Sequence, residues 1–253
     1  MRRYGGDFDY DAHGADYSAA RRPDSRIAAR IHAALGDART VLNVGAGAGS
    51  YEPGDRWVLA VEPSRIMRAQ RRPTSAPAIA AYAEALPLDD DAVDAAMASI
   101  TVHQWSDARK GLAELRRVAR GPVVVLTFDG DALSRFWLND YAPELIAAER
   151  RRFPSIGEIA QVLGSRVTVE TVPVPIDCCD GFIEAYYARP EMLLEAWVRR
   201  GQSAWGFVSI EAVADFEARL RADLTSGVWE ARYGDWRRRP QYDGALRLLT
   251  GWP

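Results

Sequence analysis

The sequence is poor in the residues that make covalent or metal-bound frameworks. Its two cysteines, Cys178 and Cys179, are neighbours. A disulfide between neighbours is strained, and two thiols do not complete a zinc site, so the pair reads as reduced and no metal is expected. Lys110 is the only lysine, which confines Schiff-base chemistry to one position. No apolar run approaches the roughly 20 residues that cross a bilayer, and the segment from Met1 to Asp9 has no apolar core of the signal-peptide kind. The expectation is a cytoplasmic protein with no membrane partner. A net charge of −3 offers no general attraction to a polyanion, so nucleic acid is not expected as a partner either.

What is present is the composition of a globular chain. The 253 residues, 48% of them hydrophobic and 26% charged, suit one α/β domain with an elaboration. Residues 1–22 are polar and aperiodic, and the expectation is a flexible arm that orders over a ligand. Pro23-Asp24-Ser25 starts a helix that carries Ile27, Ile31 and Leu35 on one face and stops at Gly36. Apolar strands follow at Thr40–Val44, Trp57–Val61, Ala78–Ala81, Val93–Ser99 and Pro122–Phe128, with a helix capped by Ser106 before the last of these. Strands apolar throughout and alternating with helices indicate a parallel sheet covered on both faces. Beyond Asp129 come helical pieces to Arg152, a short helix Ser155–Leu163 and a sixth strand Arg166–Pro175. About seventy mainly helical residues follow, including Pro190–Arg200 and an amphipathic helix Ser209–Ser226, before a last strand at Ala245–Leu249. The expected division is an arm (1–22), a core (23–176), a helical insertion (177–242) and a final core strand (243–253).

The first strand runs directly into Gly45-Ala46-Gly47-Ala48-Gly49, where the absence of Cβ atoms lets backbone approach a ligand. The second strand ends at Glu62, placed to accept hydrogen bonds from both hydroxyls of an adenosine ribose. A dinucleotide site would continue to a third glycine opening a long helix towards the pyrophosphate. Here Ser50 is followed by Tyr51-Glu52-Pro53-Gly54, which leaves little room for a helix, and Glu52 would repel a diphosphate. A phosphate-free adenosine cofactor, S-adenosylmethionine, suits this better than NAD.

At Val41–Gly49, Val58–Ser64, Ala83–Leu88, Val93–Ala98 and Leu115–Arg120 the sequence resembles the class I small-molecule methyltransferases, whose Rossmann-like, mostly parallel sheet has seven strands. The resemblance covers about residues 15–130. It implies that Gly45, Ala46 and Gly47 lie along the cofactor's amino acid and ribose and that Glu62 binds the ribose, with Pro63 and Ser64 beside the adenine. It further implies that Ala83 and Glu84 border the adenine, that Ser99 faces the methionine portion and that Tyr17 closes over it. Asn43 stands where many members have an acid, and Tyr82 where an Asp commonly precedes Ala-Glu.

Methyl transfer is an in-line displacement at a sulfonium methyl, so alignment and water exclusion carry much of the rate. A base is needed only for an acceptor that must lose a proton. His103 in Ser99-Ile-Thr-Val-His-Gln-Trp105 is the candidate, on the strand edge where open parallel sheets bind ligands; the alternative is that it orders its loop. His13 and His32 are weaker candidates. Trp105, Trp137, Tyr186 and Tyr187, with Phe182, Trp197 and Trp205, either line an apolar acceptor pocket or pack the insertion's own core. The expected activity is methyl transfer to a small organic metabolite, with O-methylation favoured and S-adenosylhomocysteine as product. Alternatives are a non-methylating reaction on the same fold and a non-catalytic cofactor-binding module.

Overall fold

The structure, a computed structural model, describes residues 8–14 and 17–253. Strands β1 (Thr40–Val44), β2 (Trp57–Val61), β3 (Ala78–Ile79), β4 (Ala95–Ser99) and β5 (Val123–Phe128) pair in parallel. Beyond β5 the sequence continues to β6 (Arg166–Thr171), a separate two-strand ribbon of β7 (Val174–Pro175) and β8 (Gln241–Tyr242), and β9 (Leu246–Trp252). β9 lies antiparallel between β5 and β6, giving the order β3-β2-β1-β4-β5-β9-β6. The expected mostly parallel sheet of seven strands is therefore present. The sixth strand is shorter than the alternation suggested. Val172 makes the last ladder bond, to the Leu246 carbonyl, and Pro173 has no N–H to extend it. The last strand runs three residues further than Leu249.

Helices α1 (Tyr10–His13) and α2 (Tyr17–Ala20) occupy the described part of the arm; residues 1–7 and 15–16, and the side chain of His13, lie outside the described residues. α3 (Ser25–Ala34) is capped by Asp24, which accepts from the Arg26 N–H, and ends with Gly36 at a φ of +57°. α4 (Arg65–Ala69) is capped by Ser64. α5 (Ala108–Val118) is capped by Asp107 rather than the expected Ser106, whose hydroxyl donates to Glu84 instead. α6 (Pro143–Arg152) and α7 (Ile156–Leu163) follow, the latter with a Ser155/Glu158 capping box. In the insertion, the helix expected at Pro190–Arg200 breaks into a 3₁₀ turn, Pro190–Leu194, and α8 (Ala196–Arg200), while α9 (Ile210–Ser226) is close to its expected limits and leads into α10 (Val228–Tyr233).

One face of the sheet packs Leu42, Val44, Ala96, Val123 and Val125 against α5 and α7. The other packs Val41, Met97, Val124 and Leu126 against Ile27 and Ile31 of α3 in a core that continues through Trp137, Tyr187, Phe216 and Trp229. The insertion therefore has no separate core. Its ends are pinched by the β7–β8 ribbon and an Ile176 N–H to Pro240 carbonyl bond. No helix lies between β1 and β2, and this leaves Trp57 and Leu59 of β2 and Ile79 of β3 exposed on one face. Among the described residues, no helix is long and apolar enough to cross a membrane.

Candidate active site

Two clefts meet above the carboxyl ends of β1, β2 and β4, where open parallel sheets bind ligands. The larger, of about 540 Å³, is lined by Tyr17, Asn43, Gly45, Ala46, Gly47, Glu62, Pro63, Ser64, Ala83, Glu84 and Ser99. Of the residues expected around the cofactor, only Gly49 lies off its wall.

The glycine loop is fixed by β4. Gly45 has a φ of +66°, and a Cβ there would lie 2.1 Å from Thr101 Oγ1, so only glycine lets the two strand ends close. The Ala46 N–H reaches the Val61 carbonyl, tying the loop to β2. Glu62 is 7% exposed, and its two oxygens accept from the Gly47 N–H at 2.9 Å and the Ser64 N–H at 2.8 Å. Burial pushes its carboxyl up, against the lowering pull of those N–H groups. A carboxylate offers about four lone-pair sites, so two remain for a pair of vicinal hydroxyls. Glu84 accepts from Ser106 Oγ and the Asp107 N–H, and Tyr82 stands exposed at the rim.

Asn43 donates to Glu52 at 3.1 Å, and Glu52 is ion-paired to Arg71 at 2.8 Å. That pairing corrects the expectation that Glu52 repels anions: its charge is neutralised where it sits. The exclusion of a diphosphate rests instead on backbone. The chain from Gly49 to β2 holds no helix, and Tyr51 turns it with a φ of +64°.

The described arm forms the roof. Asp11 accepts from Ser64 Oγ at 2.6 Å and from the Ile66 N–H at 3.0 Å, and Gln70 donates to the Gly14 carbonyl. Arg21 pairs with Asp180 at 2.5 Å, and Asp180 also accepts from the Tyr51 hydroxyl, so one buried carboxylate joins the arm, the loop after β1 and the insertion.

The second cleft is small, about 40 Å³, and lies behind Tyr10 and Ile100, which line both spaces. Ile100 follows β4 with a φ of +52°, a strained conformation for a β-branched residue, and strain of this kind clusters at functional sites. The remaining wall includes Arg21, His103, Phe128, Phe153, Phe182, Glu184 and Ser203. His103 sits in a 3₁₀ turn, Val102–Gln104, 5% exposed, with Phe153 at 4.4 Å between ring centroids. Burial, then Arg152 and Arg21, holds its imidazole well below the usual range. Glu184 is fully buried; both its oxygens accept from the Ala245 N–H, and burial raises its carboxyl to about 7.

The aromatic residues expected at the acceptor do not gather there. Trp105 lines the larger cleft, where its ring packs on Gly111. Trp137 is buried against Trp229 and donates from Nε1 to the Tyr187 carbonyl. Tyr187 is fully buried and donates to the Arg239 carbonyl, and Tyr186 is buried under Arg189. All three lie off both cleft walls, because their rings are consumed in the shared core; Phe182 alone of the insertion's aromatics reaches the small cleft. His32 bonds the Tyr51 carbonyl at 3.0 Å, away from both. Sequence reasoning missed Tyr10, Ile100, Arg21 and Glu184. Only Glu184 left a trace, as a lone acid in the apolar run from Phe182 to Tyr187.

A parallel sheet with a glycine loop, a buried acid ending β2 and no helix between them defines a nucleoside-binding protein without a diphosphate cradle. A family described as a methyltransferase domain matches residues 42–126. A search of curated proteins returns no match. Among solved structures, the chain is similar to a putative methyltransferase from an antibiotic biosynthesis pathway of Anabaena variabilis: 33% identity, covering 92% of this chain and 98% of that one, with a TM-score of 0.85. More distantly it is similar to the geranyl diphosphate C-methyltransferase of Streptomyces coelicolor, solved with Mg2+, geranyl diphosphate and S-adenosyl-L-homocysteine (14% identity, 90% and 77% coverage, TM-score 0.51). It is also similar to the 4+2 cyclase SpnF (15% identity, 96% and 93% coverage, TM-score 0.56). These last two share the fold alone. The chain belongs to the class I S-adenosylmethionine-dependent methyltransferases. It is thus a methyl-transferring enzyme, with S-adenosylmethionine as its cofactor.

Proposed function

We propose that the enzyme methylates a small organic molecule, at oxygen, with the cofactor in the larger cleft and the acceptor behind Tyr10 and Ile100. The observation that carries this reading is Glu62, a buried carboxylate already gripped by two loop N–H groups with lone pairs left over the cleft. Glu62 would hold the ribose, Pro63, Ser64, Ala83 and Glu84 the adenine, and Asn43, Ser99 and Tyr17 the amino acid end. Gly45, Ala46 and Gly47 would lie along the backbone-facing side. The cofactor supplies an activated methyl group. The chain supplies alignment: Ile100 and Tyr10 form the shared wall, so an acceptor in the small cleft faces the cofactor's methionine end with water excluded.

Isothermal titration with S-adenosylmethionine, S-adenosylhomocysteine and NAD tests the reading. Losing charged hydrogen bonds of about 1.5–3 kcal/mol, Glu62→Ala is expected to weaken S-adenosylhomocysteine binding by about 10- to 100-fold. Equal binding by the variant, or preference for NAD, would sink it. Release of S-adenosylhomocysteine during turnover separates methylation from any other reaction on this fold.

A further inference from the structure

β6 ends the sheet, and no strand of the described chain pairs with its outer side. The Val172 N–H donates to the Leu246 carbonyl, and Val172 faces Leu246 when the β6–β9 ladder is continued by one pair. Antiparallel ladders alternate residues that bond a given neighbour with residues that face away from it. Arg166, Thr168 and Glu170 therefore turn their N–H and C=O groups to β9, whereas Val167, Val169 and Thr171 turn theirs to the free edge. The Asp129 N–H bond to the Ala245 carbonyl fixes the same alternation from the β5 side of β9. β6 is exposed apart from half-buried Val167, and Val169 is 47% exposed. Beside it an open groove of about 840 Å³ runs between the end of α3 and the strands, lined by Thr168, Glu170, Leu248 and Thr250 among others. An exposed edge with free main-chain groups is a template for another strand unless its side chains forbid it.

The side chains select one partner. The strand reads Arg166-Val167-Thr168-Val169-Glu170, which is self-complementary about Thr168. With two copies antiparallel and the two-fold axis at Thr168, Arg166 of each copy faces Glu170 of the other. Val167 of each faces Val169 of the other, and both of these residues have outward N–H and C=O groups. Moving the axis to Val167 or Val169 keeps main-chain bonding but sets Arg166 opposite Thr168 or Val172, so charge picks the register. A parallel alignment in register sets Arg166 beside Arg166 and Glu170 beside Glu170, which repel. Neither charge is spent within the chain: among the described residues neither forms an ion pair, and Arg166 only lies over the Trp252 ring at 5.9 Å. We propose that the protein forms a homodimer in solution by pairing β6 with β6 of a second copy, antiparallel about Thr168, so that the two sheets become one. The valines of both copies then form a shared apolar strip on the face that packs Val167 against the α7 side of the core. One strand pair is a small interface, so the dimer is weak and dissociates on dilution. The clefts lie across β5 and β9 from this edge and stay open in both copies.

Sedimentation equilibrium of the full chain over about 1–500 μM, the range suited to a small interface, tests this. The mass is expected to rise from that of one chain towards that of two. Arg166→Glu and Glu170→Arg should each weaken the dimer by about tenfold, since two attractive cross-strand pairs become two repulsive ones. The double exchange Arg166→Glu with Glu170→Arg restores both pairs with their ends swapped, and should recover the wild-type affinity to within about threefold. Val169→Pro deletes an outward N–H that β9 does not use, so it should abolish the dimer while the far-UV circular dichroism stays as in the wild type. The surface charge variants decide the question even where the proline disturbs the fold. A monomer throughout the range, a dimer indifferent to both single reversals, or a double exchange as weak as the singles overturns the proposal. So does a dimer dissolved by Trp57→Ser instead, which would place the contact on the uncovered face of β2.

Discussion

Gly45 shows how tightly single residues constrain this site. With a φ of +66° and Thr101 Oγ1 where a Cβ would go, Gly45→Ala must distort either β1's end or the Thr101 turn. Overpacking of this kind costs about 1–3 kcal/mol, so the denaturation midpoint should fall and cofactor binding with it; an unshifted midpoint contradicts the packing described. Glu184 makes a pH-dependent contribution of the opposite kind to a salt-bridged acid. Its folded carboxyl titrates at about 7, above its ordinary 4.5, so the folded state binds a proton that the unfolded state has released. Stability is therefore lost as pH rises from about 4.5 through 7, by roughly 3 kcal/mol when complete. Urea denaturation at pH 5 and 8 should show this fall, and Glu184→Gln, which keeps an acceptor for the Ala245 N–H, should flatten it. Glu62 was legible in sequence because the end of an apolar strand fixes where a side chain emerges. Ile100 and Tyr10 were not, since a left-handed φ and an arm folded back across the chain leave no periodic signal.

Among elements, α3 depends on its first turn. Asp24 accepts from the Arg26 N–H at 3.0 Å and is held down at about 2, with the Arg26 guanidinium as the main cause. Its contribution is present above about pH 4 and lost as pH falls through 2. Asp24→Ala should cost about 0.5–2 kcal/mol by loss of the cap, measured by chemical denaturation near neutral pH. Within the arm, α1 is held at the surface by the polar contacts of Asp11 with Ser64 and Ile66, while the buried Arg21–Asp180 pair anchors the arm's end. Asp11→Ala should speed dissociation of S-adenosylhomocysteine in stopped-flow while hardly moving the melting temperature. An unchanged off-rate would show that α1 is not part of the roof. The Pro53-Gly54 connection was readable as too short for a helix, whereas the exposed Trp57 and Leu59 it leaves on β2 were not. Strand periodicity marks a face as apolar without saying whether anything covers it.

At the scale of the whole molecule, the parallel half of the sheet was the most legible part, since each buried strand is a continuous apolar run bounded by turn residues. The late half was less so. Pro173 ends β6 early, and the aromatics from Phe136 to Trp236 could equally have served a pocket or a core. Sequence alone does not separate those uses; the fold does, by running the insertion's rings into the same core as α3. What remains for the acceptor is a small cavity with rings on one side and His103 at its head. The central claim is that the larger cleft holds S-adenosylmethionine by way of Glu62. A crystal structure with S-adenosylhomocysteine tests it most directly. The account predicts both ribose hydroxyls within about 2.5–3.0 Å of the Glu62 carboxylate and the sulfur facing Ile100 and Tyr10. A ribose bound elsewhere, with the Glu62 oxygens touching only Gly47 and Ser64, would contradict it.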